Sequence, residues 1–116
     1  MKQNFFKGEI VNVNLGEPPK EIKGHEQGWE RPCIIIKSFN NLGLAVVVPM
    51  TTKKPKYSLY TIVKFDKGTA GLTADSYALC HQIRAISFDR ILSKRAKLDN
   101  KNMLKILSVL LDTLEL

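Results

Sequence analysis

A chain of 116 residues, 44% hydrophobic and 25% charged, has the size and composition of one globular domain, and residues 1–116 are read as one. No apolar run approaches the ~18 residues needed to span a bilayer. The start, MKQNFFKGEI, has neither the apolar stretch nor the cleavage site of a signal peptide, so a cytoplasmic protein without membrane contact is expected. The net charge of +7 is concentrated: residues 31–65 hold six basic side chains and no acidic one. That suits a polyanion, nucleic acid first, although a merely solvated basic surface has the same composition.

In chain order, residues 9–15 alternate, with Val11, Val13 and Leu15 on one face, as in a strand. Residues 16–28 are polar and broken by Gly16, Pro18, Pro19 and Gly24, which predicts a long loop, and loops of this length are commonly functional or disordered. Residues 32–38 form an apolar run suited to a central strand, residues 40–43 a turn, and residues 44–50 a second strand closing a hairpin. A basic loop over 51–57 follows, then a strand over 59–65, a turn over 66–68, a connector over 71–75 and a short strand over 76–81. Residues 82–87 read as extended and 88–91 as a helical turn. Asp99 is a plausible N-cap for an amphipathic helix, in which Met103, Ile106, Leu107, Leu110, Leu111 and Leu114 recur every three or four residues. Five or six strands plus a terminal helix predict a mainly β fold: a small, partly open antiparallel barrel with the helix against one side.

The chemistry is narrowed first by exclusion. There is no glycine-rich phosphate loop and no GxSxG. Cys33, Cys80, His25 and His81 lack metal-finger spacing, so no metal site is expected, and both cysteines read as buried, reduced thiols. Polar residues remain at strand ends. A polar loop ending in Arg31-Pro32 enters the first hairpin strand, and Thr51, Thr52, Lys53 and Lys54 leave the second. The hairpin brings these ends together, so Arg31 should lie beside Thr51. A guanidinium binds phosphate bidentately and offsets charge developing during phosphoryl transfer. RNA carries its own 2′-OH nucleophile, so no metal is required. Each residue also has a structural reading: Arg31 as a salt bridge to Glu26 or Glu30, Thr51 as a turn hydroxyl, His25 as an exposed loop residue, His81 as a satisfied strand-end histidine.

The segments GEIVNVNLG, GHEQGWERPCIII, AVVVPMTT and YALCHQIRAI, in this order, resemble the MazF/PemK/Kid toxin family over about residues 8–91, the G-H-E-Q…R-P loop being the specific part. The resemblance implies an SH3-like barrel, a homodimer and a cofactor-free, metal-independent endoribonuclease. Such an enzyme cleaves single-stranded RNA at short sequences to leave a 2′,3′-cyclic phosphate, and is neutralised by an antitoxin with an acidic flexible tail. It places the catalytic pair on Arg31 and Thr51, the loop histidine on His25, and further family positions on Gln82 and Arg84. His25 or His81 is the expected acid. Glu26, Gln27, Trp29, Thr52, Lys53, Lys54, Lys56, Gln82 and Arg84 are expected to contact RNA, with the lysines on flanking phosphates. The chain departs from the family pattern at His81, where an acidic residue is common, at Asn12, where an aromatic is common, and at Trp29, which could stack on a base or anchor the loop in the core. Two other readings stay open: a CcdB-like poison of gyrase, and an inactive RNA-binding relative.

Overall fold

The computed structural model describes residues 3–16, 29–56 and 59–114. The chain runs through β1 (Glu9–Asn14), β2 (Glu30–Phe39), β3 (Leu44–Thr51), β4 (Ile62–Phe65), β5 (Ser76–Leu79), β6 (Arg84–Ser87) and β7 (Ile91–Lys97), then α1 (Asn100–Thr113). Single 3₁₀ turns occupy Thr69–Gly71, Cys80–Gln82 and Phe88–Arg90. The seven strands form one antiparallel sheet ordered β4-β5-β3-β2-β1-β7. β6 lies beside the first half of β3, and β5 beside its last two residues. Among the described residues the sheet does not close: β4 and β7 are its ends.

The apolar runs at residues 32–38 and 44–50 form the central hairpin as their composition dictates. Alternation sends its side chains to two faces. One face carries Ile10, Ile34, Val48, Met50, Val63 and Phe65, and α1 covers it with Met103, Ile106 and Leu110. The other carries Val11, Val13, Leu15, Cys33, Ile35 and Val47, closed by Phe5 and Ile86. A bulge at Ile36 lets β2 switch faces while β3 continues unbroken.

Four expectations are corrected. The strand expected from residue 59 begins at Ile62, because Ile62 N–H bonds back to Leu59 C=O in a turn. The strand expected to reach residue 81 ends at Leu79 and tightens into the Cys80–Gln82 turn. The sheet has seven strands, since ILSKRAK pairs with β1 as β7. Only Ile91 and Ala96 of β7 are even half-buried, and two register shifts break its pairing, so it carries no period-2 signal. The helix stripe is also shorter than the repeat of leucines suggests. Met103, Ile106 and Leu110 are buried, but Leu111 and Leu114 are 54% and 49% exposed, because the helix packs on β4 and the Cys80–Gln82 turn rather than along the whole sheet. Asp99 is the N-cap residue, but its carboxylate accepts from Asn102 Nδ2 at 2.7 Å instead of from the helix backbone.

Cys33 and Cys80 are both free and buried, one in each cluster. Burial pushes the Cys33 thiol up to about 12, against the opposing pull of Arg84, and the Cys80 thiol up to about 11. Both are therefore protonated, unreactive side chains at neutral pH.

Candidate active site

Cys33 is paired with Pro49 across the hairpin, and two residues outward from that pair stand Arg31 and Thr51, where β2 begins and β3 ends. They line one pocket of about 260 Å³ with Glu30, Thr52, Lys53 and Arg95, over Pro32 and Met50. Both are half-buried.

Their hydrogen bonding leaves capacity for a ligand. Arg31 Nη1 donates to the Glu30 carbonyl at 3.1 Å. Arg31 Nε is buried and has no partner among the described residues. An unpaired buried donor costs about 1–3 kcal/mol, a cost that an incoming anionic oxygen removes. No described carboxylate lies within ion-pair distance of Arg31. The Thr51 hydroxyl accepts from Lys53 N–H at 3.1 Å, the local turn bond of its structural reading. That bond uses a lone pair and leaves the hydroxyl proton available for donation. Two guanidinium groups and an ammonium stand around the hydroxyls of Thr51 and Thr52, against the single carboxylate of Glu30, so the described lining is net positive and suited to an anion.

The other expected residues are dispersed. His25, Glu26 and Gln27 lie outside the described residues. Trp29 is tied to the residues that follow β1: its N–H donates to Gly16 C=O at 2.7 Å and its C=O accepts from Leu15 N–H at 2.8 Å. Its φ is +61°, and it is 54% exposed, so it does not anchor the loop in the core. Lys54 and Lys56 lie just beyond the pocket, on the same loop as Lys53. Arg84 Nη1 donates to Leu15 C=O at 3.4 Å and Arg90 Nη1 to Asn14 C=O at 3.2 Å, so two cations hold the end of β1. Asn12 donates from Nδ2 to Ser93 Oγ at 2.9 Å, bridging β1 to β7.

His81 and Gln82 sit in the Cys80–Gln82 turn, at the far end of β5 from Tyr77, the partner of Thr51. That separates His81 from Thr51 by on the order of 10 Å along the sheet. His81 does not line the Arg31 pocket. Its Nδ1 lies 2.9 Å from Thr61 Oγ1, and burial lowers its pKa below the usual 6.5, which favours the neutral ring. The unfolded chain therefore takes up this proton at a higher pH than the folded one, and stability falls as pH drops below 6.5. Thermal midpoints measured from pH 7.5 to 5 should decline more steeply for the native protein than for His81→Gln. Equal slopes would show that His81 contributes nothing to the pH dependence.

Sequence reasoning missed two lining residues, Glu30 as a site residue and Arg95. Glu30 adjoins the recognised arginine. Arg95 carries no legible signal, because it stands on the unforeseen β7.

The profile of a family described as PemK-like, MazF-like toxins of type II toxin–antitoxin systems matches residues 6–114. The chain is 34% identical over 105 residues to endoribonuclease EndoA of Bacillus subtilis, covering 86% of this chain and 85% of that protein. It is 31% identical over 105 residues to endoribonuclease MazF of Staphylococcus saprophyticus, covering 86% and 82%. A crystal structure of MazF from Deinococcus radiodurans shares the fold, with a TM-score of 0.79 at 20% identity over 98% of this chain and 99% of that one.

Proposed function

We propose, for a chain that belongs to the PemK-like, MazF-like family of toxins, that the Arg31–Thr51 pocket is where RNA is cut. The chain is an RNA-cleaving endoribonuclease toxin, and its protein partner is an antitoxin. The observation that carries the assignment of the pocket is the buried, unpartnered Nε of Arg31 beside the Thr51 hydroxyl.

Arg31 grips the non-bridging oxygens of the scissile phosphate and stabilises the charge that builds on them in the transition state. Thr51 donates to the same phosphate or to O2′ and aligns the nucleophile. The 2′ oxygen attacks phosphorus, the P–O5′ bond breaks, and the products carry a 2′,3′-cyclic phosphate and a 5′-OH. The 2′ proton leaves to a base, and O5′ is protonated by an acid. His25 is the proposed acid, because the position and lowered pKa of His81 do not support that role. The nucleophile belongs to the substrate, so the step requires no metal. Lys53 and Arg95 hold adjoining phosphates, and the loops around the pocket select the sequence cut.

The same reading takes residues 1–116 as one toxin domain acting in the cytoplasm as a homodimer, with the antitoxin's acidic tail lying over the basic groove. Among the described residues no helix is long and apolar enough to cross a membrane.

The test is incubation with a long single-stranded RNA in EDTA across a salt series. Fragments ending in 2′,3′-cyclic phosphate and 5′-OH are expected, at a rate that falls steeply with salt. RNA that is bound but left whole would return the inactive-relative reading.

A further inference from the structure

Arg31 and Thr51 are two members of a longer row. Thr51 pairs with Tyr77 across β3 and β5, and Tyr77 pairs with Lys64 across β5 and β4. Directly paired residues share a face of the sheet. Their sequence neighbours Met50, Ala78, Val63 and Phe65 are buried on the α1 side, so the row faces away from that cluster. With strands about 4.8 Å apart, a guanidinium, a hydroxyl, a phenol and an ammonium follow one another over about 14 Å.

Past Thr51 this row enters a second pocket of about 420 Å³, whose lining includes Lys54, Lys56, Lys64, Leu59, Ile62 and Tyr77. Its volume falls in the range of small-ligand sites. Among the described residues neither Lys54 nor Lys56 has a carboxylate partner. Lys64 has two, Asp66 at 3.6 Å and Asp75 at 3.8 Å, but all three side chains are at least half exposed, so these pairs are weak and exchangeable.

We propose that this second pocket is a nucleotide subsite of the RNA groove, in which Tyr77 stacks on a base flanking the scissile phosphate while Lys54, Lys56 and Lys64 hold the phosphates beside it. The inference rests on the reading of Arg31 and Thr51 as the cleavage site. An aromatic ring and the apolar side chains of Leu59 and Ile62, sharing one pocket with three ammonium groups, match a base joined to a phosphate. An acidic peptide would use the ammonium groups and leave the ring and the apolar side chains without a role.

The experiment measures the Kd of a fluorescein-labelled, fully 2′-O-methylated RNA, which cannot be cut, together with cleavage of ordinary RNA. Tyr77→Leu should raise Kd about tenfold, the effect of losing one stacked base, and should alter the base found at one position beside the cut. Tyr77→Phe keeps the ring and should bind as the native protein does, which separates stacking from damage to β5. Lys54→Gln with Lys56→Gln should weaken binding and flatten its salt dependence. A Kd and cleavage pattern unchanged in Tyr77→Leu would overturn the subsite, whether or not the native protein cuts. Unchanged RNA binding with lost binding of polyglutamate would also overturn it and assign the pocket to a protein partner. Failure of the native protein to cut RNA, with the Tyr77 effect on Kd intact, would remove the cleavage reading and leave the subsite standing.

Discussion

Arg31→Ala should lower kcat/KM for RNA cleavage by on the order of a thousandfold or more, the effect of removing an arginine that neutralises a transferring phosphoryl group. The loss should fall mostly on kcat, because the charge that the guanidinium meets is greatest in the transition state. Arg31→Lys should recover only part of the rate, since an ammonium restores charge but not the paired, planar donors. The fold should not suffer. The Arg31 side chain makes one described bond, to the Glu30 carbonyl, and its Nε is already unsatisfied, so no fall in the thermal midpoint is expected beside the lost activity. Cleavage at the native rate by Arg31→Ala would strip the pocket of its assigned role.

The second large effect is on stability. Ile106 is fully buried, with Met103 and Leu110 one helical turn to either side on the same face of α1. Ile106→Ala should cost about 2–5 kcal/mol, since the sheet beneath cannot collapse to fill the space. Set against a usual domain stability of about 5–15 kcal/mol, that is a large fraction. Leu104 is 67% exposed on the same helix, and Leu104→Ala should change stability by less than about 0.5 kcal/mol. Urea denaturation of the two variants separates the effects. A cost below about 1 kcal/mol at Ile106 would mean that α1 is not held by this stripe.

What could be read beforehand follows from where apolar side chains set the pattern. The β2–β3 hairpin is written in the runs CIII and AVVV, and counting outward from its turn is enough to place Arg31 near Thr51. β7 is written in no such pattern. It is an edge strand whose side chains mostly face water, and its place is set by backbone pairing with β1, which leaves no mark on side-chain chemistry. Arg95 was hidden with it. Tyr77 fell on a strand that was foreseen, but its neighbour Thr51 could not be, because pairing between β3 and β5 spans a connection that periodicity does not measure. His81 is adjacent in motif order to the expected site residues, but the run of β5 and the turn that follows carry it away from Thr51, a separation that motif order does not encode.

The open sheet has one more consequence, for solubility. An unpaired strand edge is a template on which another chain can add and begin to aggregate, and repelling charge is a common protection. The edge strand β7 carries Lys94, Arg95 and Lys97, all exposed, within seven residues. Lys94 is paired with Glu9 at 3.1 Å, which leaves Arg95 and Lys97 as the charges placed to repel a second chain from this edge, and Arg95 also lines the pocket proposed to hold RNA. Neutralising them to silence the enzyme would expose the sheet to self-association, so charge on this edge cannot be lowered for one purpose without loss in the other.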